Sequence, residues 1–129
     1  MVDIVLVSHS LKLVEGLKEL VAEMAPDVNI YAIGGTKEGK IGTDFDQIFV
    51  AFERVGEDGA IVLFDLGSSY MASQMAHEAL PESHQSKIVI VDAPLVECSI
   101  EAAVLAGIGE SKSTIVEQLA KYKLGKIPN

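Results

Sequence analysis

The chain has 129 residues, of which 49% are apolar and 22% charged, with a formal net charge of −9 and no tryptophan. That length suits one domain over residues 1–129, with enough aliphatic side chains for a sizeable core and too few charges for a disordered chain. The acidic balance excludes the basic stripe of a nucleic-acid binder, and no apolar run approaches the ~20 residues needed for membrane insertion.

Residues 2–7, Val-Asp-Ile-Val-Leu-Val, read as a buried strand. Leu13, Val14, Leu17, Leu20, Val21 and Met24 then recur at helical spacing over residues 13–24, and Pro26 ends that helix. Val28 to Ile33 is a second strand, stopped by Gly34 and Gly35. After a loop over residues 39–43, Thr43 or Asp44 caps a helix carrying Phe45, Ile48, Phe49, Phe52 and Val55. Ala60 to Phe64 is a third strand; Asp65-Leu66-Gly67-Ser68-Ser69 is a turn into a helix from about Tyr70 to Leu80. Lys87 to Val91 is a fourth strand, broken by Asp92-Ala93-Pro94 and followed by a helix over about residues 96–106. A last helix runs from Ser111 to Tyr122, and Lys121, Lys123 and Lys126 read as its solvated end.

Apolar strands alternating with helices imply an α/β three-layer sandwich around a mostly parallel, doubly wound sheet. In such a sheet ligands bind at the carboxyl ends of the strands. Four loops meet there: Ser8-His9-Ser10; Gly34-Gly35-Thr36 running on to Gly42-Thr43; Asp65 to Ser69; and Asp92 to Leu95. His9 can act as a phosphoryl-accepting nucleophile if a carboxylate selects its tautomer, and Asp65, on the neighbouring strand, is the best placed acid. Cations are scarce in these loops (Lys37 and Lys40, both in the second), so neutral donors should hold the phosphoryl group: Ser8, Ser10, Gly35, Thr36, Thr43, Gly67, Ser68 and Ser69. Such donors would keep its transfer potential high. Each fragment also has an ordinary reading: Ser10 as a helix cap, Gly34-Gly35 as a tight turn, Asp65 as turn chemistry, His77 and His84 as surface residues. Cys98 reads as a packed helix residue. With no Cys or His partner nearby, no metal site is expected.

A single cysteine forms no internal disulfide. Asp3 interrupts the apolar start, and no basic region precedes it, so no signal peptide is read and the expectation is a cytoplasmic protein.

Val7-Ser8-His9-Ser10, Gly34-Gly35, Ile41-Gly42-Thr43, Asp65-Leu66-Gly67-Ser68 and Ala93-Pro94-Leu95-Val96-Glu97 together resemble the mannose-type IIA domains of the phosphoenolpyruvate-dependent phosphotransferase system. Within that family the resemblance runs to the DhaM branch, the phosphotransferase subunits of bacterial dihydroxyacetone kinases. The resemblance implies that His9 is the phosphorylated residue and Asp65 its hydrogen-bonding acid. It implies HPr as phosphoryl donor, charged by enzyme I, and the DhaL subunit as acceptor. DhaL would hold ADP and magnesium, with DhaK binding dihydroxyacetone, so this chain would carry no cofactor. It also implies a homodimer. Cys98 stands where related sequences often have glycine, so the backbone there should be helical. Two alternatives stand beside this reading: a IIA domain handing phosphate to the IIB protein of a mannose-type sugar permease, and a non-catalytic flavodoxin-like or receiver-like binding module.

Overall fold

Strands covered on both faces must be apolar throughout, and this condition selects the centre of the sheet. The computed structural model of the protein describes residues 1–128. Its sheet has four parallel strands, β1 (Asp3–Ser8), β2 (Ile30–Gly34), β3 (Ala60–Phe64) and β4 (Ile88–Ile90), in the order β2-β1-β3-β4. The two central strands, β1 and β3, are buried along their whole length. Between them run α1 (Leu11–Met24), α2 (Phe45–Arg54), α3 (Gly67–Glu78) and α4 (Glu82–Gln85); α5 (Leu95–Gly107) and α6 (Lys112–Leu119) follow β4.

Side chains alternate across a strand, so each central strand feeds two cores. Ile4, Leu6, Ile61 and Leu63 pack against Val14, Leu17 and Val21 of α1, Ala102 and Ala106 of α5, and Ile115 and Leu119 of α6. Val5, Val7, Val62 and Phe64 pack on the other face against Ile48 and Phe52 of α2 and Ala76 of α3. This is the three-layer sandwich expected from the sequence. The chain moves from β1 outward to β2, then crosses back over β1 to β3. The topological switch point therefore lies between β1 and β3, where a doubly wound sheet opens a crevice at its carboxyl edge.

Several local expectations need revision. Helix α1 starts at Leu11, because the Ser10 hydroxyl accepts from the Leu13 amide at 3.2 Å and caps it. Of the six periodic positions read from the sequence, Val14, Leu17 and Val21 are buried, whereas Leu13, Leu20 and Met24 are 46%, 47% and 58% exposed. They share a stripe rotated roughly 70° about the helix axis from the sheet-facing one. Helix α3 begins at Gly67, so Gly67, Ser68 and Ser69 form its first turn; the Ser69 amide donates to the Leu66 carbonyl at 3.0 Å. Helix α4 was not foreseen, and His77 and His84 are not free surface residues. Both are half-buried, with Nε2 hydrogen-bonded to the Gln85 carbonyl (2.9 Å) and the Phe52 carbonyl (2.6 Å) respectively. Asp44, rather than Thr43, caps α2, and Ser111 caps α6. The last helix ends at Leu119, continues as a 3-10 turn over Ala120–Tyr122, and leaves Lys123 and Lys126 outside it. Cys98 is buried in α5, in helical backbone as expected.

No helix among the described residues is long and apolar enough to cross a membrane.

Candidate functional site

Parallel pairing of β1 and β3 sets Val7 opposite Phe64, so the residues that leave the two strands next, Ser8 and His9 on one side and Asp65 on the other, emerge together. The Asp65 amide closes the ladder onto the Val7 carbonyl at 3.1 Å. His9 and Asp65 are far apart in the chain and meet because the switch point brings their strands side by side.

Asp65 accepts five hydrogen bonds. The Ser8 hydroxyl (2.8 Å) and His9 amide (2.9 Å) donate to Oδ2. His9 Nδ1 (2.9 Å), the Leu66 amide (2.6 Å) and the Ser69 hydroxyl (2.8 Å) meet Oδ1. Burial alone would push the carboxyl up; the bonds from the His9 amide, the His9 ring, Ser8 and Ser69 outweigh it and hold the pKa at about 2, below the ordinary 3.8. Asp65 is therefore ionised at neutral pH and can only accept. It follows that Nδ1 of His9 carries a proton, and in the neutral ring Nε2 is left as the bare, nucleophilic nitrogen. Nε2 is hydrogen-bonded to the Ser68 hydroxyl, which must donate to the neutral ring. The His9 and Asp65 side chains are 17% and 16% exposed, so the pair is sheltered yet open at one side.

The other residues picked out from sequence fall into distinct places. Ser8 and Ser69 are fully buried, with their hydroxyls directed at Asp65; Ser69 shares its one proton between Asp65 Oδ1 and the Leu66 carbonyl (2.6 Å), and Ser8 accepts from the Ser10 amide (3.0 Å). Ser10 is engaged as the α1 cap. Gly35 has φ +74°, and a Cβ there would sit 2.9 Å from the Lys40 carbonyl, so this position needs glycine. Thr36 turns its hydroxyl onto the Lys40 amide (3.2 Å). The amide of Gly42 donates to the His9 carbonyl (2.9 Å), tying the second loop to the histidine, and Thr43 follows half-buried. Gly67 and Ser68 open α3, whose start has no side-chain cap; among the described residues their amides form no hydrogen bond. An uncapped helix N-terminus of twelve residues beside Nε2 is a natural seat for an anion.

Two residues take roles that the sequence reading did not give them. Lys126 is not a solvated helix end: it is half-buried and its ammonium donates to the carbonyls of Phe64 (2.8 Å) and Asp65 (3.4 Å). Asp92 is buried and accepts from the amides of Leu124 (3.1 Å) and Ile127 (2.9 Å), which holds the C-terminal segment over the sheet edge. The one signal in the sequence was Gly125, between Leu124 and Lys126, a turn that could fold the tail back (φ +84°).

A doubly wound parallel sheet with a carboxylate-held histidine at its switch point defines a class of proteins, and the comparisons give it a name. The family described as the PTS system fructose IIA component (EIIA-man) matches residues 3–116, and the chain belongs to it. Among curated relatives, the PTS-dependent dihydroxyacetone kinase phosphotransferase subunit DhaM of Lactococcus lactis is 37% identical over 95% of this chain and 97% of its own length. The phosphoryl donor subunit DhaM of the PEP-dependent dihydroxyacetone kinase 2 of Listeria innocua is 40% identical over 92% and 97%. A solved structure, that of EF1359, described as a protein of unknown function, superposes with a TM-score of 0.83 at 32% identity, covering 92% of each chain.

Proposed function

We propose that this chain is the phosphoryl-relay subunit of a PEP-dependent dihydroxyacetone kinase. It accepts a phosphoryl group from phospho-HPr on Nε2 of His9 and delivers it to ADP held, with magnesium, by DhaL, while DhaK binds dihydroxyacetone as the final acceptor. The observation that carries this reading is the His9–Asp65 contact at 2.9 Å with Asp65 ionised, which supports a single tautomer with Nε2 free to attack phosphorus. Relatives called DhaM that match over nearly their whole length support the kinase branch over a sugar permease.

In the acceptance step, Ser68 turns away and the Nε2 lone pair forms the N–P bond as the bond from phosphorus to the donor breaks. The imidazole gains positive character, which Asp65 balances across Nδ1–H. Ser8 and Ser69 hold the carboxylate in place. The phosphoryl oxygens then lie near the Ser68 hydroxyl and the open amides of Gly67 and Ser68. These donors are neutral, so the product is held without being over-stabilised, and the reverse motion passes the group to the acceptor. Around the histidine, Leu11, Ile41 and Leu66 are 42%, 74% and 61% exposed, an apolar rim suited to brief docking by protein partners.

A homodimer belongs to the same reading, and the exposed Leu13, Leu20 and Met24 on α1 offer it an apolar face. Sedimentation analysis tests this, with a monomer at all concentrations as the contrary result. The protein is proposed to work in the cytoplasm and to bind no cofactor of its own.

The test is incubation with phosphoenolpyruvate, enzyme I and HPr, followed by intact mass. The expected result is one acid-labile phosphoryl group, absent in His9→Ala. Mixing the charged protein with DhaL–ADP should then yield ATP, whereas a IIB domain should take up nothing. Transfer only to the IIB domain would favour the permease reading, and no mass gain in the wild type would overturn the relay.

A further inference from the structure

A lysine that leaves solvent loses rotamer freedom and hydration, so a half-buried lysine on backbone carbonyls has been placed there by something. In this chain the placing group is Asp92. At the end of β4, 8% exposed, it accepts the amides of Leu124 and Ile127, and Gly125 between them takes φ +84° to let the segment reverse. Lys126 is thereby carried back over the end of β3. Its ammonium donates to the carbonyls of Phe64 (2.8 Å) and Asp65 (3.4 Å) and lies 4.4 Å from the centre of the Phe64 ring.

Those two carbonyls flank the backbone of the residue that orients His9. Holding them fixes the turn in which the Asp65 carboxylate gathers its five donors. The same ammonium sets a positive charge beside a site that otherwise contains an ionised carboxylate and must admit an anionic phosphoryl group.

We infer that Lys126, delivered by the Asp92-anchored C-terminal segment, is a positioning residue of the His9 site: it locks the Asp65 turn and supplies the site with a half-buried positive charge. This rests on the relay reading for its kinetic consequence, but not for its electrostatic one. Burial lowers the proton affinity of Lys126, while Asp92, Asp65 and Cys98 oppose that. Of these, Asp92 is ionised, with a lowered pKa, and the Cys98 thiol, pushed up to about 11 by burial and by Glu101 and Glu97, stays neutral. Lys126 should therefore lose its charge at lower pH than an exposed lysine, which an arginine would not.

The test compares the full chain with Lys126→Arg and Lys126→Met, each checked for folding by circular dichroism, using two readouts. In an NMR titration of the His9 ring, Met is expected to raise the midpoint by about half a pH unit, since a nearby cation disfavours imidazolium, and Arg to leave it unchanged. In phosphoryl uptake from phospho-HPr, Met is expected to slow the rate about tenfold and Arg to keep it. The ratio of wild-type to Arg rates should fall as the pH rises through the Lys126 titration. If Met does not fold, Asp92→Asn, which frees the segment without altering Lys126, should move both readouts the same way by less. A Met variant, or Asp92→Asn in its place, that titrates and reacts like wild type overturns the inference. A wild type that takes up no phosphoryl group on His9 overturns the relay reading, and the His9 titration still decides the role of Lys126.

Discussion

Asp65 and Asp92 occupy matching places, just beyond the carboxyl ends of the neighbouring strands β3 and β4, and both have lowered pKa values. They differ in what donates to them. Asp65 draws three of its five donors from side chains, including a titratable ring that faces the crevice. Asp92 draws its donors from backbone amides of a distant segment. A carboxylate held by side chains can tune a reactive group; one held by amides can only fix a chain path. The topology assigns the roles, because only the β1/β3 junction is the switch point.

The largest expected effect is on the reactive carboxylate. Asp65→Asn keeps the shape but can present an amide N–H to Nδ1 and so favour the wrong tautomer. Phosphoryl uptake by His9 should fall by roughly 100-fold or more, read by quenched-flow labelling with phospho-HPr, with the circular dichroism spectrum unchanged. Uptake within a few-fold of wild type would erase the distinction between the two acids.

Next in size is the acid limb of stability. The Asp65 pKa is depressed from 3.8 to about 2, so its contribution is fully present above about pH 4 and is lost as pH falls through 2. For a side chain 16% exposed this amounts to about 2 kcal/mol, seen as a steeper fall in urea-unfolding free energy between pH 4 and pH 2 in wild type than in Asp65→Asn. Asp92 contributes with the same sign. Its Asn variant should lose about 1–2 kcal/mol at neutral pH, with faster amide exchange at Leu124 and Ile127. The smallest effect is expected from Ser69→Ala, which removes one of the five donors: about 1 kcal/mol in stability and a several-fold slower uptake, since the remaining donors still hold Asp65.

The strands were legible because continuous apolar runs leave few other readings, and the three layers followed from their alternation with helices. The meeting of His9 with Asp65 was legible because both follow apolar strands at the carboxyl edge of the sheet; the order that sets those strands side by side comes from the structure. Local geometry was harder to read. Gly67, Ser68 and Ser69 look like turn residues, yet Asp65 Oδ1 accepts the Leu66 amide and allows the helix to start at once. Leu13, Leu20 and Met24 satisfy a helical period that says nothing about which of two adjacent faces meets the sheet. Lys126 was misread because its place depends on a carboxylate 34 positions earlier, a contact no local pattern encodes.

The most direct measurement is a phosphorus–nitrogen correlation spectrum of the charged protein with ¹⁵N-labelled histidine. The expected result is coupling of the phosphoryl group to Nε2 of His9, with Nδ1 still protonated and bound to Asp65. Coupling to Nδ1, or to a nitrogen of His77 or His84, would contradict the account of how this site is built.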